Sequence, residues 1–336
     1  MRRKLLSILI ALLFAAAAVA AVELGLRFFA PIHTVGVQEG YEYDAELGYR
    51  LKAGQHLLRV TDYQQEVRTN ALGTANFQEA FRQYPNLVFV LGDSFTQGSG
   101  LPADASYPSQ LDLILNRDER GLYRPRYGVV NLGLEGSGGE QALILLRRYA
   151  SRLGPPAFVL YMGTDNDYED DLVFTSGQRR RHLVDGSPYW GWLVRPLRWF
   201  ANTNIGIRIR LASAMFRRRR ALRSIGIEPF DPDRSPRSAA ELQQPVLERI
   251  AAACRQYNAR LVVTWTMQNP ASYKWLQSWA RLRQIAFADW SPAVESVQSS
   301  VPAMPLYNPH SGGHFRPWVN RLIAEEFARQ ILSPAP

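Results

Sequence analysis

The chain has 336 residues, 46% of them hydrophobic and 21% charged, with a formal net charge of +9. These proportions exclude a disordered or fibrous chain and suit one large domain with insertions, or two small ones. A single cysteine, Cys254, excludes an internal disulfide and a cysteine-ligated metal; of the five histidines only His310 and His314 stand four apart, and that pair alone is no metal signature, so no metal or cofactor is expected.

Arg2-Arg3-Lys4 precedes a run from Leu5 to Val22 that is apolar but for Ser7. That pattern fits a signal peptide or a single membrane anchor, with the basic end in the cytoplasm. Ala18-Val19-Ala20 offers a cleavage site. The run continues through Val22-Glu23-Leu24-Gly25-Leu26-Arg27-Phe28-Phe29, which favours an uncleaved anchor over residues 1–30 with the rest of the chain exported. Residues 31–84 read as a turn-rich accessory region. Within it Tyr41 to Tyr49 and Gln55 to Val67 supply short antiparallel strands, and Arg68 to Gly73 a turn.

A domain follows over residues 85–332. Leu87 to Leu91 is an uninterrupted apolar run, as in a strand buried on both faces, and it ends in Gly92-Asp93-Ser94. A Ser just past the carboxyl end of such a strand suits a nucleophile exposed at a sharp turn into a helix. The same residues would equally serve as an ordinary β–α turn with Asp93 or Ser94 as N-cap. Helical spacing covers Tyr107 to Leu115. Gly128 to Leu132 is a second strand, followed by the Gly-rich stretch 133–139 and a helix over Glu140 to Leu153. Ala157 to Met162 is a third strand, ending at Gly163-Thr164-Asp165-Asn166-Asp167. Strand–loop–helix units in succession predict a doubly wound parallel sheet, whose ligands bind at the carboxyl ends of the strands.

Residues 176–237 break the pattern. They hold fourteen Arg, no Lys and four acidic residues, so the basic character of the chain is local to this insertion. Aromatic residues cluster in it at Tyr189, Trp190, Trp192, Trp199 and Phe200. It reads either as a solvated, partly helical excursion or as a cap for anionic glycan or lipid headgroups. Nucleic acid is not an expected partner, since no nucleic-acid motif is present. The regular pattern resumes with a helix over Ala239 to Tyr257, a strand over Arg260 to Trp265, a helix over Tyr273 to Arg283, a fifth strand over Ile285 to Asp289, and a closing helix over Phe315 to Ile331.

Ester hydrolysis by a serine needs a nucleophile, a base and preorganised donors for the oxyanion. The first three loops supply Ser94, the Gly136 N–H and the Asn166 amide. The late histidines are His310 and His314, and His314 stands immediately before the closing helix. Together these resemble the blocks of the SGNH (GDSL-type) hydrolases. Gly92-Asp93-Ser94 matches the nucleophile block, Asn131 with Gly136 the second, Gly163 to Asp167 the Gly-x-Asn-Asp block, and His314 with Pro317 and Asn320 the closing one.

The resemblance covers about residues 84–172 and 239–332. It implies a three-layer α/β fold with a five-stranded parallel sheet, Ser94 as nucleophile and His314 as base, with Ser94, Gly136 and Asn166 forming the oxyanion hole. The anchor and the insertion further resemble membrane-anchored members associated with surface polysaccharides. The implied activity is an exported esterase that removes acyl groups, acetyl above all, from a carbohydrate. An O-acyltransferase using the same acyl-serine, and a non-catalytic polysaccharide-binding or assembly component, are the alternatives.

Two departures stand out. The third block is one residue longer than the family's, so Asp165 or Asn166 could take the donor position; Asn166 is preferred, because a carboxylate would repel an oxyanion. The acid expected shortly before the His is replaced by Ser311 and Gly312. A backbone carbonyl, Asn308 or a remote acid such as Asp289 would then have to orient the ring, with Asp93 and Asp165 as further possible support for the site.

Overall fold

The computed structural model describes residues 2–29, 40–60, 63–76, 78, 81, 83–176, 203–206, 208–209, 230, 235–308 and 313–333. Helix α1 runs over Arg2–Phe29. Its apolar part, Leu6–Phe29, has mean hydropathy 2.5 and is largely exposed; near its end Glu23 accepts the N–H groups of Asn204 and Ile205 at 2.9 and 3.0 Å. It is long and apolar enough to cross a membrane, as signal sequences also are.

Two antiparallel hairpins follow: β1 (Tyr41–Asp44) with β2 (Gly48–Leu51), and β3 (His56–Val60) with β4 (Gln64–Arg68). The first is fastened to the body. Arg148 grips Asp44 through both guanidinium nitrogens, at 2.7 and 2.9 Å, and Gln141 donates to the Leu47 carbonyl at 2.8 Å. Burial would raise the Asp44 carboxyl, but Arg148 and backbone N–H groups outweigh it and bring it down to about 2.

Among the described residues the body is built on a five-stranded parallel sheet. Its strands are β5 (Asn86–Gly92), β6 (Tyr127–Asn131), β7 (Phe158–Gly163), β8 (Arg260–Trp265) and β9 (Ala286–Phe287), in the order β6-β5-β7-β8-β9. Val88 to Leu91 have no exposed surface, so both faces of β5 are covered. The covering helices include α2 (Ser94–Gln97), α3 (Tyr107–Asn116), α4 (Gly139–Leu153), α5 (Asp167–Thr175), α6 (Ala239–Leu242), α7 (Gln244–Gln256), α8 (Pro270–Leu282), α9 (Ser291–Ser300) and α10 (Pro317–Leu332). Helix α3 packs on α10, and α4 on α7. The fold is α/β, and its strand order reverses between β5 and β7. The crevice outside the carboxyl ends of these two strands is where such sheets hold ligands.

Local chemistry moved several boundaries. The helix expected over Ala239 to Tyr257 is two helices, because Pro245 has no N–H to continue the first. Helix α8 starts three residues earlier than expected: Asn269 accepts the Ala271 N–H at 3.0 Å and Pro270 opens the first turn. The strand expected over Ile285 to Asp289 keeps two paired residues, opposite Val262 and Val263. The closing helix begins at Pro317. Phe315 lies before it, bridged to Tyr307, so His314 does not directly precede the helix. Helices α5 and α9 were not expected at all. The cluster Tyr189, Trp190, Trp192, Trp199 and Phe200, with most of the insertion, lies outside the described residues, as do His310, Ser311 and Gly312.

Candidate active site

The turn from β5 into α2 is tight because Gly92 has no side chain. A Cβ there would collide with the Thr96 hydroxyl and the Met162 carbonyl, and its φ of +152° is one that L side chains rarely adopt. Asp93 is the N-cap, its Oδ1 accepting the Phe95 N–H at 2.9 Å. Ser94 is then the first helical residue, largely buried, with its N–H in the first turn where no carbonyl four residues back can take it. The N-cap role, open between Asp93 and Ser94 on the sequence, falls to Asp93.

His314 Nε2 lies 2.8 Å from Ser94 Oγ. The His is delivered by a short antiparallel pairing: the Asn308 N–H donates to the His314 carbonyl at 2.8 Å, and the Arg316 N–H to the Leu306 carbonyl at 2.9 Å. Aromatic rings wall it. Phe95 lies 4.8 Å from the imidazole between centroids, and Phe315 lies 4.9 Å from Phe95. Buried Asn308 donates through Nδ2 to the carbonyls of Gly100 (3.3 Å) and Phe315 (3.4 Å). It therefore supports the backbone of the His segment.

The remaining support candidates divide. Asp165 Oδ1 accepts from Trp265 Nε1 at 2.9 Å and Ser272 Oγ at 2.7 Å, on the β8–α8 side. Asp289 accepts from Tyr273, Gln277 and Ser291 at 2.9, 3.1 and 2.6 Å. Both carboxylates are engaged by these donors. Asp93 is the acid beside the pair. Its Oδ2 is 3.3 Å from Ser94 Oγ, 3.3 Å from Thr164 Oγ1 and 3.4 Å from Asn166 Nδ2. Burial raises the Asp93 carboxyl above the usual range, with the Phe95 N–H and the charge of His314 pulling the other way.

Of the two donor candidates in the third loop, Asn166 faces Ser94: its amide and the Ser94 hydroxyl flank a single oxygen of Asp93. Its other hydrogen goes to Asp170 Oδ2 at 3.0 Å. The 3.4 Å contact with Asp93 is the weaker, so that hydrogen is the one free to turn to an oxyanion.

Gly136 sits in the loop after β6 with φ +72°, and its N–H bonds no other described residue. The loop is set against α2: the Glu135 N–H donates to Gln97 Oε1 at 2.9 Å, and a Cβ on Gly133 would strike the Gln97 backbone. The accessory hairpin reaches it too. Tyr49 Oη donates to the Glu135 carbonyl at 2.7 Å and Tyr41 Oη to Glu135 Oε2 at 3.0 Å. Sequence reasoning missed Tyr41, Tyr49, Gln97 and Glu135. Only the closeness of Glu135 to Gly136 could have signalled any of them.

Behind the site lies a buried acidic layer of Asp93, Asp167 and Asp171. Asp171 Oδ1 caps α4 by accepting the Glu140 N–H at 2.8 Å, and burial pushes its carboxyl up to about 7. Asp167 Oδ2 accepts from Tyr161 Oη at 3.0 Å and the Thr164 N–H at 3.1 Å. Among the described residues no group of three or more His, Cys, Asp or Glu is arranged to hold a metal ion.

No protein-family model matches the chain, and no curated protein matches it in sequence. Solved structures do resemble it. A member of the lipolytic protein G-D-S-L family from Veillonella parvula is 11% identical with a TM-score of 0.40, over 73% of this chain and 97% of that one. A catalytic mutant of an acetylxylan esterase from Geobacillus stearothermophilus is 13% identical with a TM-score of 0.41, over 75% and 96%. A GDSL-like lipase from Bacteroides thetaiotaomicron is 11% identical with a TM-score of 0.36, over 76% and 91%.

Proposed function

We propose that the chain is a serine esterase of the SGNH type, held by α1 with its catalytic domain on the exported side, and that it removes small acyl groups, acetyl above all, from a carbohydrate. The observation that carries the reading is the 2.8 Å approach of His314 Nε2 to Ser94 Oγ at the carboxyl edge of β5. The chemistry follows from that pair. Ser94 Oγ attacks the acyl carbon as its proton passes to His314 Nε2. The oxyanion forms against the Ser94 and Gly136 N–H groups and the Asn166 amide. His314 returns the proton to the leaving sugar hydroxyl, and water then attacks the acyl-Ser94 by the same route. The carbohydrate and the acetyl preference rest on the sequence resemblance.

The test is turnover of nitrophenyl acetate by the full chain purified in detergent, beside Ser94→Ala, with longer acyl chains as competitors. The reading expects activity in the parent, its loss in Ser94→Ala and preference for acetyl. Equal turnover by the two proteins would remove it.

A further inference from the structure

Thr164 Oγ1 has one hydrogen to give and three oxygens around it. Asn166 Oδ1 is 2.6 Å away, Asp167 Oδ1 3.1 Å and Asp93 Oδ2 3.3 Å. A hydroxyl donates one hydrogen bond and accepts up to two. The orientation of the Asn166 amide is fixed by its neighbours: the end facing Asp93 and Asp170 must be Nδ2, because an oxygen there would be repelled by both carboxylates. Asn166 Oδ1 therefore accepts the Thr164 hydrogen, at the shortest distance of the three.

The two remaining contacts are then oxygen against oxygen in a buried site, unless a carboxyl brings a proton. Asp93 Oδ1 takes the Phe95 N–H, and its Oδ2 is offered the Asn166 N–H and lies 3.3 Å from the Ser94 hydroxyl. Asp167 differs. Its Oδ2 already accepts two donors, whereas Thr164 Oγ1 is the sole partner of its Oδ1 among the described residues.

From this count, and resting on the esterase reading of Ser94, His314 and Asn166, we infer that Asp167 is held as a neutral acid and acts as a positioning residue. Its Oδ1–H donates to Thr164 Oγ1, whose own hydrogen donates to Asn166 Oδ1 and aims Nδ2 at the Ser94 side of the crevice. The titratable groups facing Asp167 are all acids: Asp93 from the β5–α2 turn, Asp170 and Asp171 from α5, and the Tyr161 phenol from β7. Burial, and then these charges, lift its carboxyl well above the usual range.

The experiment is infrared difference spectroscopy on the full chain at neutral pH, in H2O and in D2O, parent minus Asp167→Asn. The expected result is a parent-only carbonyl band of a protonated carboxyl that shifts in D2O. A difference holding only ionised-carboxylate bands overturns the inference.

Kinetics give a second arm. Thr164→Val breaks the relay and should lower kcat on the order of 10²-fold by misplacing Asn166, with KM little changed. Its Asp167 carbonyl band should persist. Asp167→Ala should lose as much, and Asp167→Asn, which can still give an N–H to Thr164 and accept from Tyr161, should rescue most of that loss. An Asp167→Asn protein as impaired as Asp167→Ala contradicts the relay. If the parent itself turns over no ester, the esterase reading fails, while the infrared difference still decides the protonation of Asp167.

Discussion

Two segments bring chemistry to Ser94, and they are held by opposite means. The loop 163–167 is fixed by polar side chains: Thr164, Asn166 and Asp167 bond one another and the carboxylates of Asp93 and Asp170. Residues 306–308 and 313–316 are fixed by backbone pairing and by rings, with Phe315 stacked on Tyr307 at 5.4 Å and edge-on to Trp290 at 5.2 Å. A buried polar network is only as good as its proton inventory, whereas a ring wall is indifferent to pH. On the proposed reading, the placement of the oxyanion donors should therefore answer to protonation, and the placement of the base to packing.

The comparison breaks most visibly at the base. His314→Ala should lower turnover of an activated ester by on the order of 10²–10⁴-fold, and His310→Ala far less; similar losses from both, read from kcat/KM, would undo the assignment. On the polar side, Asn166→Ala should lower kcat by about 10²–10³-fold, the usual cost of one oxyanion donor. An unchanged kcat would move that role elsewhere.

Packing is tested by Phe315→Ala, which should cost about 3–5 kcal/mol in denaturant unfolding. The acidic layer is tested by pH. Burial raises Asp171 to about 7 and Asp112 to about 6 from an ordinary 3.8, so the folded chain keeps protons that the unfolded chain releases. Stability from these groups is present below about pH 4 and is lost as pH rises through 6 and 7. The unfolding midpoint should thus fall between about pH 5 and pH 8; a rise would mean these carboxyls ionise on folding. Asp44, held near 2, has the opposite sign but finishes titrating below that window. The smallest effect is reserved for Asp289→Asn. Its partners are Tyr273, Gln277 and Ser291, so about 1 kcal/mol of stability is at stake. Turnover should not change, and a large drop would restore it as the acid behind His314.

The sheet was legible in the sequence because a strand covered on both faces must be apolar at every position, as Leu87 to Leu91 and Arg260 to Trp265 nearly are. The candidate site stood out as blocks around Ser94, Gly136, Asn166 and His314, and the 2.8 Å approach of His314 Nε2 to Ser94 Oγ joins the first block to the last. What escaped was whatever depended on partners distant in the chain. Helix α5 opens with Asp167, Glu169 and Asp170, which suit the positive end of a helix but mask its apolar spacing. The engagement of Asp165 by Trp265 and Ser272, about a hundred residues away, has no local signature. Nor does the reach of Tyr41 and Tyr49 to Glu135, which makes the accessory hairpin part of the wall behind Gly136.

The most direct measurement of the central claim is intact-protein mass spectrometry after treatment of the full chain with a fluorophosphonate. A Ser whose hydroxyl lies 2.8 Å from His314 Nε2 should give one covalent adduct, mapped by peptide analysis to Ser94, slowed in His314→Ala and absent in Ser94→Ala. An adduct that persists in Ser94→Ala, or that maps to another residue, would contradict the account.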